Sequence, residues 1–177
     1  LTYLAKHKYK TIITLHSEQM YTGTCGYALE CTKWKEHGCD KCPHIKLSTG
    51  TSIDKTKKAF KKLKKCYDLF SKDQLSFVAC TPWLEENAKQ SILLSEFNTT
   101  TILNGGDDKI FYPIDSDFIE LRNKLNIPKD NKVVLFVCPR LNDPIKGYQF
   151  IPEIREKLDK SYSIIVVGKI TDDINLY

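Results

Sequence analysis

Residues 133–147, Val-Val-Leu-Phe-Val-Cys-Pro-Arg-Leu-Asn-Asp-Pro-Ile-Lys-Gly, decide how this chain is read. An apolar run of strand type ends at Pro139, Arg140 follows at once, and a short turn leads to Lys146 and Gly147. A hydrophobic strand that empties into a loop with two cations is how an open α/β sheet presents charge to a phosphate. Ligands of such sheets bind outside the carboxyl ends of the strands. Arg offers a planar fork of donors and Lys a mobile point charge, and both suit phosphate oxygens. Spacing alone leaves a second reading open, in which both are solvated loop cations.

Outward from this stretch, strands and helices alternate. Residues 11–15 form a short β-branched strand with His16 at its carboxyl end. Residues 54–70 read as a helix that Asp54 can cap, with Ala59, Phe60, Leu63, Tyr67 and Phe70 on one face. Residues 75–80 read as a strand, and 83–95 as a helix with Leu84, Ala88, Ile92 and Leu93 inward. Residues 99–103 form a third strand, closed by the turn Asn104-Gly-Gly-Asp107. Further on, Asp115 or Asp117 can cap a helix carrying Phe118, Ile119, Leu121, Arg122 and Leu125. A strand at 133–137, a helix at about 149–160 and a strand at 163–167 follow. Such alternation predicts an α/β fold with parallel sheets.

The chain has 177 residues, the scale of one domain or of pieces of two. No run approaches the ~18 apolar residues of a membrane span, and the start has no signal-peptide core. Opening on Leu1 and ending soon after a strand, the sequence reads as a fragment cut at both ends. The net charge is +5; residues 113–177 balance ten Lys/Arg against ten Asp/Glu, so the surplus lies in residues 1–112. Seven lysines fall between Lys55 and Lys65. A basic amphipathic helix there could lie on an anionic membrane surface, or be a solvated face.

Residues 17–50 have little periodicity and form a long insertion, which calls for a staple or a function. Four of the seven cysteines lie in it: Cys25, Cys31, Cys39 and Cys42. Four thiolates close a tetrahedral structural zinc site, and the Cys39-x2-Cys42 spacing is common in such sites; the five-residue gap before Cys31 is looser. Disulfides or free thiols are the alternatives, and His37 and His44 are substitute ligands. Cys66, Cys80 and Cys138 stand in apolar surroundings and read as small core residues.

Eight strings in order carry a family resemblance: Thr14-Leu-His16, Gly23-Thr-Cys25, Cys31-Thr-Lys-Trp-Lys35, Gly38-Cys-Asp-Lys-Cys-Pro43, Thr81-Pro-Trp-Leu84, Ile102-Leu-Asn-Gly105, Phe111-Tyr-Pro113, and Arg140 with Lys146-Gly147. Together they resemble the family 4 glycosyltransferases of the GT-B fold, in the bacterial subgroup that builds surface polysaccharides. The resemblance implies a fragment of a two-domain GT-B architecture with Rossmann-like parallel sheets. Residues 1–112 would be the C-terminal half of the acceptor-side domain, with the Cys-rich insertion at 17–50. Residues 113–177 would begin the nucleotide-sugar (donor) domain, with the Asn104-Gly105 turn at the hinge. It also implies a cytoplasmic enzyme, at the inner face of the membrane if the lysine-rich segment touches lipid. That enzyme would move a sugar from a nucleotide-sugar donor to a glycan or lipid-linked acceptor with retention. Arg140 and Lys146 would hold the donor diphosphate, and His16 would face the cleft as the catalytic candidate. No cofactor is implied for the chemistry.

The chain also departs from the family. Ser17 stands where Asp is usual after the strand-end His, the Thr-Pro stretch is shortened to place Trp83 after Pro82, and Gly106 replaces an aliphatic residue. The Gly-rich N-terminal loop and the Glu-x7-Glu motif fall outside this segment, so the piece alone is expected to be incomplete as a catalyst. Two other classes compete: a non-catalytic sugar-binding relative, and a zinc-stapled basic module gripping nucleic acid. For the second, the lysines sit on one helix and the remaining strings fit no nucleic-acid motif, so no nucleic-acid partner is expected.

Overall fold

The computed structural model describes residues 1–46, 52–113 and 118–169. Asp115 and Asp117, named above as caps, lie outside these residues, as do residues 47–50 of the insertion. The chain divides into two compact units between Phe111 and Tyr112.

The first unit opens with helix α1 (Thr2–Lys6) and strand β1 (Thr11–Leu15). The insertion follows, and it includes the short helix α2 (Lys33–Glu36). Next come helix α3 (Thr56–Tyr67), strand β2 (Leu75–Ala79), helix α4 (Pro82–Gln90) and strand β3 (Asn98–Thr101). The strands pair in parallel in the order β1-β2-β3, with Ile13 opposite Phe77 and Phe77 opposite Thr99. Parallel neighbours need crossovers, and α3 and α4 lie in those crossovers. Leu15, Leu75, Phe77 and Ala79 are wholly buried. Phe77, Tyr67 and Phe97 meet edge to face, with ring centroids 5.7–6.1 Å apart, each pair adding about 1 kcal/mol beyond its buried area.

Helix α4 starts where Thr81 Oγ1 accepts the N–H of Leu84 at 3.1 Å, with Pro82 in the first turn. It ends at Gln90, not at 95 as the periodicity predicts. Ser91 is buried, donates its hydroxyl to the Tyr21 carbonyl (3.0 Å) and accepts from the Leu93 N–H. A side chain bonded to backbone this way competes with helix. The chain then turns, burying Leu93 and Leu94 and leaving Ile92 exposed, contrary to its expected inward place. Strand β3 leads into an irregular connection. The turn falls at Asp107, whose carbonyl accepts from Ile110 and Phe111, rather than across residues 104–107.

In the second unit, helix α5 (Ile119–Lys124), strand β4 (Lys132–Arg140), helix α6 (Ile151–Lys157) and strand β5 (Tyr162–Lys169) follow in order. β4 and β5 are parallel, Val133 opposite Ser163. The apolar run predicts a strand ending before Pro139, but β4 continues to Arg140 with a register shift after Val137. Proline lacks a ladder donor and is tolerated at such irregularities. The helix expected at 149–160 is shorter, because two 3-10 turns, Pro144–Lys146 and Tyr148–Phe150, occupy its approach. Of the three isolated cysteines, Cys138 is buried as expected, whereas Cys66 and Cys80 are half-buried.

Candidate functional site

Two groups of side chains occupy carboxyl edges of parallel strands, one in each unit. In the second unit the loop after β4 is fixed by its own backbone. The Arg140 carbonyl accepts from Cys138 Sγ and from the Asp143 N–H, both at 3.3 Å, and Leu141 N–H donates to the Lys169 carbonyl at 2.9 Å. Asp143 caps the following turn, its Oδ1 accepting from Ile145 N–H at 3.1 Å. Gly147 closes that turn at φ 81°, a left-handed conformation open to glycine at little cost. A Cβ on Gly168 would lie 2.3 Å from the Cys138 carbonyl oxygen, so glycine lets the end of β5 approach this loop. Arg140, the last residue of β4, and Lys146, the last residue of the Pro144–Lys146 turn, are both exposed. The spacing predicts both on the loop, and the longer strand puts Arg140 on the strand end instead.

In the first unit His16 follows β1 directly and is exposed. The Cys80 N–H bonds the Leu15 carbonyl at 3.3 Å and the Ile102 N–H bonds the Ala79 carbonyl at 3.0 Å, so the three strand ends are level. The start of α4 adds Trp83, whose indole is 64% exposed. An exposed indole is a flat apolar surface of the kind that sugar rings stack on; the sequence shows it only as a departure from a pattern.

Just past His16 sits a residue the sequence did not single out. Glu18 is 4% exposed, accepts the Tyr21 hydroxyl at 3.2 Å and the Ala28 N–H, and has an apolar setting. Burial beside this carboxylate holds the Tyr21 hydroxyl far above its usual pKa. Polar spacing around Glu18 looks like any loop, and only the folded neighbours reveal its burial.

The insertion is not short of apolar anchors. Tyr21, Ala28, Trp34 and Cys39 join the main core, and the Tyr21 and Trp34 rings lie 5.0 Å apart. The Tyr67 hydroxyl donates to the Met20 carbonyl at 2.7 Å. Cys25, Cys31, Cys39 and Cys42 all line one cavity of about 10 Å³, together with Ala28, Lys33, Trp34, Asp40, Pro43 and Thr56. Burial, first, and the neighbouring Cys25, Cys31 and Cys42 push the Cys39 thiol up to about 12. No disulfide joins any of the seven cysteines. Among the described residues no three His, Cys, Asp or Glu side chains stand in ready-made metal-ligating geometry, so the thiols surround the cavity rather than converge in it. The substitute ligands do not join them. His37 is exposed beside Glu36, and His44 Nε2 lies 3.1 Å from Glu30, without the angle of a hydrogen bond.

The seven lysines between Lys55 and Lys65 are all exposed along α3 and the residue before it. Lys57 pairs with Asp40 at 2.7 Å and Lys64 with Asp68 at 2.9 Å. No helix among the described residues is long and apolar enough to cross a membrane. Compared with known proteins, the chain matches no family model, no curated protein and no solved structure.

Proposed function

We propose that this chain is part of a retaining glycosyltransferase that moves a sugar from a nucleotide-sugar donor to a glycan or lipid-linked acceptor. The observation that carries the reading is the end of β4 with the turn after it, where two exposed cations, Arg140 and Lys146, stand at the carboxyl edge of a parallel pair of strands. Breaking the sugar–phosphate bond builds negative charge on the departing diphosphate. Fixed donors aimed at that charge stabilise the transition state more than the ground state. Arg140 would grip oxygens of one phosphate in a forked pair, and Lys146 would supply a point charge to the same group. On the first unit, His16 would be the catalytic candidate, as a hydrogen-bonding group for a sugar, and Trp83 would offer a stacking face. A lipid-linked acceptor would suit an enzyme at the inner face of the membrane, where the exposed lysines of α3 would meet anionic lipid.

The test is an assay of the full-length polypeptide that carries this chain, with a panel of nucleotide sugars and lipid-linked or glycan acceptors. The reading expects acceptor-dependent release of nucleoside diphosphate and a product with the donor's anomeric configuration. Saturable donor binding without release under any acceptor would contradict transfer and favour a sugar-binding relative.

A further inference from the structure

We propose that Cys25, Cys31, Cys39 and Cys42 hold one zinc ion as a tetrathiolate, which pins the insertion to the first unit. This inference rests on residues of the first unit alone and is independent of the donor-binding reading.

The four residues are spread from position 25 to position 42 of the insertion, yet all border the same void of about 10 Å³. That is about the room of one water-sized sphere. Ala28, Trp34 and Pro43 give the void an apolar side, and Lys33, Asp40 and Thr56 complete its lining.

Each of the four positions is held by its own hydrogen bond. The Cys25 carbonyl accepts the Thr22 hydroxyl at 3.1 Å, and the Cys31 carbonyl accepts the Trp34 indole N–H at 2.8 Å. The Gly23 N–H donates to Cys39 Sγ at 2.9 Å, and the Cys42 N–H donates to Asp54 Oδ2 at 2.7 Å. Asp54 in turn accepts from Thr56 at the start of α3, so the last cysteine is tied to that helix. With the backbone of Cys25, Cys31 and Cys42 held in this way and Cys39 held at its sulfur, side-chain torsions supply the freedom needed to close four sulfurs to the Zn–S length of about 2.3 Å.

The charge also suits the ion. Four thiols lose four protons to solvent as four Zn–S bonds form, leaving the site at a formal charge of about −2. The Gly23 N–H already points at one sulfur, the kind of outer contact that orients and stabilises a metal-bound thiolate. Lys33 lines the void, its ammonium held by the carbonyls of Asp40 and Lys41 at 3.0 and 2.9 Å, where it offsets part of that charge. Two disulfides would consume the same cysteines, but pairing needs no common void among all four.

The experiment is metal analysis of the chain purified under reducing conditions, followed by cobalt substitution. About one zinc per chain is expected, and cobalt should give the visible bands of a tetrahedral thiolate complex. Cys42→Ser should lower zinc content well below stoichiometric, while Cys80→Ser should leave it unchanged. If Cys42→Ser does not fold, chelation of the unaltered chain serves instead. It should raise hydrogen exchange at residues 17–46 and leave β2 protected. Protein free of metal with all four thiols open to alkylation would overturn the proposal. So would a mass lower by four hydrogens, with two disulfides in place.

Discussion

The backbone N–H of Gly23 reaches Sγ of Cys39, sixteen residues along the chain, over 2.9 Å. The approach is possible because residue 23 has no side chain. A Cβ there would lie 2.5 Å from the Thr56 carbonyl oxygen and 2.6 Å from Cys39 Cβ. Neither the backbone of α3 nor a buried Cβ can move aside easily. Gly23→Ala should therefore cost about 2–3 kcal/mol of stability. At Gly26 an added Cβ meets nothing within 4 Å, so Gly26→Ala should fall within about 0.5 kcal/mol of the parent. Urea unfolding of the two variants side by side checks the pair, and equal effects would contradict the close approach.

Glu18 is the second buried joint of the insertion. Glu18→Ala would leave the Tyr21 hydroxyl and the Ala28 N–H without their acceptor inside the fold. The loss should be about 3 kcal/mol, because unsatisfied buried donors forfeit their hydration. Tyr21→Phe removes only the hydroxyl of one bond and should cost about 1 kcal/mol. Chemical denaturation of both variants tests the order, which would be reversed if the carboxylate were a solvated loop group.

A pH-dependent contribution is expected at Asp73. Ser71 and then Lys10 hydrogen-bond its carboxylate, at 2.6 and 2.9 Å, and hold its pKa down to about 2. A depressed carboxylate pKa favours the folded state above the unfolded value of about 4. That gain is lost as pH falls through about 2. The stability gap between the parent and Asp73→Asn should be full at neutral pH and shrink below about pH 4. Since the group is exposed, the gap should also narrow in high salt. Melting curves across pH and salt measure it; a gap that widens on acidification would refute the assignment.

Much of the fold was written locally. Thr11–Leu15 is apolar and β-branched, and the structure places β1 on those residues. Phe60 and Tyr67 recur at helical spacing, and both are buried on α3. What the sequence concealed depends on partners far along the chain. Helix α4 stops because Ser91 bonds Tyr21, seventy residues away. Glu18 is buried because Ala28 and Tyr21 fold over it. Tyr21 and Trp34 look like loop aromatics until the core claims them. At the candidate site, the closeness of Arg140 and Lys146 to one strand end was legible from spacing, but the extension of β4 past Pro139, which puts Arg140 in the strand itself, was not, since a proline in a strand reads as its end.

The central claim is that Arg140 and Lys146 hold the diphosphate of a nucleotide sugar. The measurement that tests it most directly is steady-state turnover and donor affinity of Arg140→Ala in the proposed transferase, with Lys61→Ala on α3 as the control. Losing one preorganised donor to developing charge should lower turnover by about 100-fold or more, and Lys146→Ala should do likewise. The double variant should be less damaged than the product of the two, because both cations serve one charge. Lys61→Ala should leave turnover on a soluble acceptor nearly unchanged. Full turnover and unaltered donor affinity in a correctly folded Arg140→Ala enzyme would contradict the account.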